Sequence, residues 1–135
     1  MAGVVVLDAS VVIGYLNAKD SHHAWVLNLL EQHIDDQLVV SALTHAEYLV
    51  VPTRDGRTAE ALMKLLDFDL DVEQLDERAA VGLARVRVES ELRMPDATVV
   101  HTALMRNASL ATTDRVLGDA ARRLGIVVHS PAGAE

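Results

Sequence analysis

Val4-Val5-Val6-Leu7-Asp8-Ala9-Ser10 decides how the rest of the chain reads. Four apolar residues, three of them β-branched, run into a carboxylate, and an apolar helical pattern begins at once. A short continuous apolar run is the pattern of a strand buried on both faces, as in a parallel sheet. Such a strand delivers Asp8 to the carboxyl edge of the sheet, where open α/β proteins bind their ligands. The rest of the sequence must show whether other acids come to that edge.

The 135 residues suit a single domain over 1–135, and half of them are hydrophobic, enough for a real core. Only 3% are aromatic, so that core is built from Val, Leu, Ile and Ala. There is no cysteine, which removes disulfides, thiolate zinc sites and cysteine nucleophiles, and fits a reducing cytoplasmic setting. No basic segment precedes the first apolar run, so a signal peptide is not expected. No run approaches the roughly 18 apolar residues of a membrane span. The net charge of −8 argues against nonspecific nucleic-acid affinity. It leaves room for a nuclease, whose metal site needs clustered acids.

Outward from Asp8, Val11 to Leu16 form a short helix ending near Asn17, and Ser21 is the expected N-cap of a second. Leu38–Ser41 is a strand. A helix over Thr44–Val50 is expected to end at Pro52. A turn at 53–56 leads to a helix over Arg57–Leu66 with Ala61, Leu62, Leu65 and Leu66 inward. Asp69–Leu75 alternates as an edge strand. Asp76 is expected to cap a helix running to about Leu92, Met94-Pro95 to break it, and Asp96 to open another to Asn107. Ser109–Thr112 is a strand, Asp114–Leu124 a helix stopped by Gly125, and Ile126–Val128 a last strand before a frayed tail. Strands alternating with helices imply a largely parallel sheet covered on both faces.

Four acids fall on the same edge of that sheet. Asp8 follows the first strand and Asp114 the fourth. Asp96 opens the helix leading into the fourth strand, and Glu47 lies near the start of the helix after the second. Each alone has an ordinary explanation. Aspartate is a preferred N-cap, and a first-turn glutamate complements the helix dipole. Their company is not explained that way. Carboxylates gathered in one cleft raise one another's pKa unless a cation offsets them. An all-oxygen, carboxylate-rich site suits Mg²⁺ or Mn²⁺.

Four segments carry a family resemblance: Val5-Val6-Leu7-Asp8-Ala9-Ser10, Ser41-Ala42-Leu43-Thr44-His45-Ala46-Glu47, Leu92-Arg93-Met94-Pro95-Asp96-Ala97 and Leu110-Ala111-Thr112-Thr113-Asp114. In order and spacing they resemble the PIN domain, and more narrowly the VapC toxins of prokaryotic type II toxin–antitoxin systems. The resemblance spans essentially the whole chain. It implies a five-stranded PIN-like α/β/α fold of order 3-2-1-4-5, Mg²⁺-dependent endoribonuclease activity, an inhibitory antitoxin partner and a homodimer. It places Asp8, Glu47, Asp96 and Asp114 at the family's acidic positions, with Ser10 and Thr112 at its hydroxyl positions. Thr113 departs from the basic or amide residue common there, and Arg115 is the candidate substitute. The implied chemistry is metal-assisted hydrolysis of an RNA phosphodiester by water, leaving a 5′-phosphate and a 3′-hydroxyl, with no acid acting as a covalent nucleophile.

Other constellations weigh less. His45-Ala46-Glu47 has the H-x-E of zinc deaminases but not their cysteine pair. There is no P-loop and no G-x-S-x-G elbow. A haloacid-dehalogenase-like phosphohydrolase also places Asp after its first strand, but has a second acid where this chain has Ser10. A receiver domain lacks its early acid pair and late lysine here, and a catalytically degenerate PIN-like binding module remains the other alternative. His22 and His23 read as solvated, His101 as partly exposed, and His33 and His129 have no evident partners in sequence. Arg54, Arg57, Arg93 and Arg115 are candidate phosphate contacts, and Leu49-Val50-Val51-Pro52 is a candidate contact surface.

Overall fold

The computed structural model describes residues 3–131. The elements are β1 (Val4–Leu7), α1 (Ala9–Leu16), α2 (His23–Gln32), β2 (Gln37–Ser41), α3 (Ala42–Arg54), α4 (Thr58–Leu65), β3 (Leu70–Glu73), α5 (Ala79–Ser90), α6 (Met94–Arg106), β4 (Ser109–Ala111), α7 (Arg115–Arg123) and β5 (Val128–His129). Ser130 and Pro131 follow without regular structure. The rest of the expected frayed tail, residues 132–135, lies outside the described residues. Among the described residues no helix is long and apolar enough to cross a membrane.

The five strands form one sheet in the order β3-β2-β1-β4-β5, and every neighbouring pair is parallel. This is the PIN-like arrangement expected from sequence. It is not the 2-1-3-4-5 order of receiver-type folds. The opening run is the central strand, with Val5 facing Leu38 of β2 and Ser109 of β4. Chain order reverses at β1. The carboxyl ends of β1 and β4 therefore flank a topological switch point, the usual ligand crevice of an open α/β sheet.

Alternation along the strands divides the core in two. Val5, Leu7, Leu38, Val40 and Ala111 pack with Val11, Val12, Val26, Leu29, Tyr48 and Leu65 of α1–α4. Val6, Val39 and Leu110 face the other way, onto Val86, Val99, Val100, Ala103 and Leu117 of α5–α7. The three inner strands β1, β2 and β4 are buried on both sides, which is why the opening stretch shows an unbroken apolar run.

Several boundaries differ from expectation. α3 begins at Ala42, because Ser41 caps it by accepting the Thr44 N–H at 3.1 Å. It also runs through Pro52 to Arg54. A proline forgoes its own N–H bond, but the turn resumes with the Asp55 N–H on the Val51 carbonyl and closes with Arg57 N–H on the Pro52 carbonyl at 2.7 Å. His22, not Ser21, precedes α2, and Asp20 accepts the His22 N–H at 2.8 Å. α5 begins only at Ala79, although Asp76 does accept that residue's N–H. α6 starts at Met94, two residues before Asp96, since Pro95 is suited to a helix's first turn. In α4, Ala61 and Leu65 are buried, but Leu62 and Leu66 are 40% and 80% exposed. Leu66 lies beyond the last helical residue and leaves the stripe.

Candidate active site

Asp8 stands at the N-cap of α1, immediately beyond the end of β1, and its own N–H donates to the Ala111 carbonyl at 3.0 Å. Its side chain is almost wholly buried. Oδ1 accepts the Ala9 N–H at 2.8 Å. Oδ2 accepts two hydroxyls, Ser10 Oγ and Thr112 Oγ1, each at 2.8 Å. Burial pushes the Asp8 carboxyl above its ordinary range. The Ser10, Thr112 and Ala9 donors pull it back, and Asp114 adds repulsion.

The two hydroxyls also tie the strand ends together. Ser10 Oγ accepts the Thr113 N–H at 3.1 Å, and Thr112 Oγ1 accepts the Asp114 N–H at 3.0 Å. Thr112 is fully buried. Each hydroxyl gives its proton to Asp8 and takes one from the loop after β4, so both are satisfied in two directions. They fix the rotamer of Asp8 and the path of residues 112–114 at once. Thr113 contributes its backbone to this lattice.

Asp114 is the N-cap of α7. Oδ1 takes both capping bonds, from Val116 N–H at 2.9 Å and Leu117 N–H at 3.2 Å. Asp96 is not a cap. Arg93 holds that position and makes no side-chain cap bond, which leaves Asp96 as a half-buried acid in the first turn of α6. Glu47 lies half-buried on α3. Burial raises both their carboxyls. Asp8 and Asp96 raise Glu47 further; Asp8 and Asp114 raise Asp96, with Arg93 opposing. The four acids, drawn from widely separated parts of the chain, thus share one electrostatic field at the switch point.

A family model described as the PIN domain matches residues 5–123. The chain belongs to the PIN domain family. No curated protein matches this sequence at a significant level. Solved PIN-like structures share its fold. VapC20 of Mycobacterium tuberculosis, titled a Sarcin-Ricin loop cleaving toxin, superposes with a TM-score of 0.72 at 18% identity, over 91% of this chain and 96% of that one. VapBC2 from Rickettsia felis, bound to a promoter DNA fragment, gives 0.70 at 16% identity over 95% and 98%. FitAcB from Neisseria gonorrhoeae gives 0.69 at 21% identity over 92% and 95%.

The four acids suit a divalent cation in donor chemistry. They are hard oxygen ligands, and the carboxyls of Asp8, Glu47 and Asp96 are raised first by burial and then by neighbouring acids. Their side chains do not converge to coordination distance: among the described residues, no three His, Cys, Asp or Glu side chains form a group able to hold a metal.

Other sequence candidates fall elsewhere. Arg115 opens α7 beside Asp114 and is exposed. Arg54 and Arg57 both approach Asp55, at 3.6 and 3.4 Å. Arg57 also lines a cleft of about 340 Å³ between α1, α3 and α4, with Ile13, Leu16, Tyr48 and Val51; Glu47 belongs to its wall. Sequence reasoning reached one wall of it, Val51 and Pro52, but not the cleft, because its lining comes from three helices that only packing brings together. His101 is buried, against the expectation of partial exposure. Its ring fills the space over Gly82, where an added Cβ would sit 2.6 Å from Cε1. His23, read as solvated, is half-buried and bonds the Gly14 carbonyl through Nδ1 at 2.7 Å.

Proposed function

We propose that this chain is a Mg²⁺-dependent endoribonuclease, the toxin of a toxin–antitoxin pair, acting in the cytoplasm as a homodimer. The observation that carries the reading is the shared field of Asp8, Glu47, Asp96 and Asp114 in a PIN fold. Like charges gathered at a partly buried edge repel unless a cation offsets them. Mn²⁺ is the natural substitute ion. Support for a toxin comes from the structural neighbours, which include toxin–antitoxin complexes. Those likenesses carry over to this chain as a proposal.

In this reading the four carboxylates, which stand apart in this structure, would close around the ion, which when bound would supply Lewis-acid activation of water and charge compensation for a phosphodiester. Ser10 and Thr112 already set the orientation of Asp8. Asp96 is free of capping duty. Asp114 divides its labour, with Oδ1 on the α7 N–H groups. The RNA lies across the carboxyl edge of the sheet, where Arg93 and Arg115 stand beside the acids. The antitoxin docks on the α1–α3–α4 cleft, whose lining includes Glu47 and the exposed Val51.

Mapping 5′ ends of RNA from cells expressing wild type or Asp96→Asn tests this directly. New 5′-phosphate ends are expected with wild type and none with the variant. Equal ends from both would sink the nuclease reading. A degenerate binding module would instead bind RNA with no response to Mg²⁺.

A further inference from the structure

Away from the acids, two histidines without evident partners in sequence meet in space. His33, at the end of α2, and His129, in β5, stack with ring centroids 4.7 Å apart and planes tilted by 57°. His33 Nδ1 donates to Asp36 Oδ2 at 2.6 Å, and Asp36 Oδ1 accepts the Gly3 N–H at 2.8 Å. His129 Nε2 lies 3.0 Å from Ser109 Oγ of β4. The cluster joins α2, the turn before β2, the start of β1, β4 and β5.

β5 is only two residues long. Two backbone bonds from β4 reach it and the residue before it: Leu110 N–H to the Val127 carbonyl at 2.9 Å, and Thr112 N–H to the His129 carbonyl at 3.1 Å. The second bond starts from Thr112, whose hydroxyl donates to Asp8 and accepts the Asp114 N–H. His129 therefore stands one residue away from the acidic lattice. Its side chain leans on His33 and its carbonyl anchors Thr112.

We propose that His33, Asp36 and His129 form a pH-sensitive latch that keeps β5, and through it Thr112, in register. Asp36 accommodates one positive charge on the ring pair. A second would place two imidazolium rings in contact with one carboxylate between them, and like charges at that separation repel. The groups facing His129 are His33 from α2, Asp36 from the following turn and the uncharged Ser109 from β4. Burial lowers the affinity of the His129 ring for a proton, His33 lowers it further, and Asp36 opposes both. The folded chain thus holds the second proton less readily than the unfolded chain. Stability at β5 is present above the ordinary value of 6.5 and is lost as pH falls below it. As regulation of the acidic site, the latch rests on the nuclease reading; as a conformational device it does not.

Amide hydrogen exchange of the full chain tests it, followed at Thr112 from about pH 7.5 to about pH 5 and corrected for intrinsic exchange. Thr112 protection is expected to fall by roughly tenfold or more in wild type. It should stay level in His129→Gln and fall less in His33→Gln, where burial of the His129 ring remains but the second imidazole is gone. Ring NMR of wild type locates the titration with no substitution and serves if a variant does not fold. Level protection in wild type, a fall that persists in His129→Gln, a fall undiminished in His33→Gln, or a fall that does not follow the His129 ring proton would each overturn the latch. Cleavage of RNA over the same range is the second arm. If Thr112 exchange follows the His129 proton while no RNA is cut at any pH, the latch stands and the nuclease reading fails.

Discussion

Carboxylates gather in two places on this sheet, and they are treated in opposite ways. At the outer strand β3, Asp71 and Glu73 share Arg106 from the end of α6, with Arg106 Nη2 at 2.9 Å from each. The two acids raise the pKa of the Arg106 guanidinium through hydrogen bonds and charge. At the switch point, burial and mutual repulsion raise Asp8, Glu47 and Asp96 instead; neutral donors pull Asp8 back, and the opposing positive charge is that of Arg93, at Asp96. The first cluster is an ion-pair network that fastens α6 to β3. The second is held together by neutral donors, Ser10, Thr112 and backbone N–H groups, which orient a charge without cancelling it. Charge left uncancelled is available to a cation from solution.

The sharpest way to break this comparison is to neutralise one charge in each cluster. Asp96→Asn should reduce RNA cleavage by about 10³-fold or more, as expected when a ligand to an activating ion is lost. The same variant should melt at or above the wild-type temperature without Mg²⁺, because it removes repulsion. Arg106→Ala should do the reverse, costing about 1–2 kcal/mol in denaturant unfolding while leaving cleavage nearly intact. If Asp96→Asn destabilised the chain as Arg106→Ala does, the acids would be a structural network. Thr112→Val is a milder probe. It removes a donor from Asp8 and an acceptor from Asp114 N–H, so cleavage should drop about tenfold and stability by about 1–2 kcal/mol. A normal cleavage rate would deny the hydroxyl its orienting role.

The smallest effect is in pH. Raised carboxyls contribute stability that is complete below their unfolded values, near 3.8 for Asp, and is lost as pH rises through the folded value. The melting advantage of Asp96→Asn at pH 7 should therefore shrink as pH falls toward 4. Differential scanning calorimetry in the absence of divalent ions measures it. An advantage that grew on acidification would mean that Asp96 is stabilised as the anion.

Much of the placement of the acids was legible because strand ends and helix starts share one edge in a parallel α/β fold. The apolar run before Asp8 marked a strand buried on both faces, and Asp114 stood between an apolar strand and a helical pattern. Asp96 was misassigned as a cap although a signal existed, since Pro95 fits the first turn and moves the helix start to Met94. Pro52 misled in the opposite direction, because one missing N–H does not stop a helix whose next turns still close. Leu62 obeys the apolar period of α4 yet remains exposed, since only neighbouring elements decide which part of a stripe is covered, and Leu66 falls past the helix end.

The sequence by itself determined a parallel sheet covered on both faces and the edge of it at which Asp8, Glu47, Asp96 and Asp114 are expected; the strand order, with the first strand central, came from the family resemblance. The first two follow from local apolar period and from connection rules that act over one β-α-β unit. Tertiary structure alone decided that Asp8 takes two hydroxyls on one oxygen, that Arg106 spans to β3, and that His33 stacks on His129. Those contacts join residues far apart in the chain. Their strength depends on distance, burial and neighbouring charge, which exist only after the sheet has assembled.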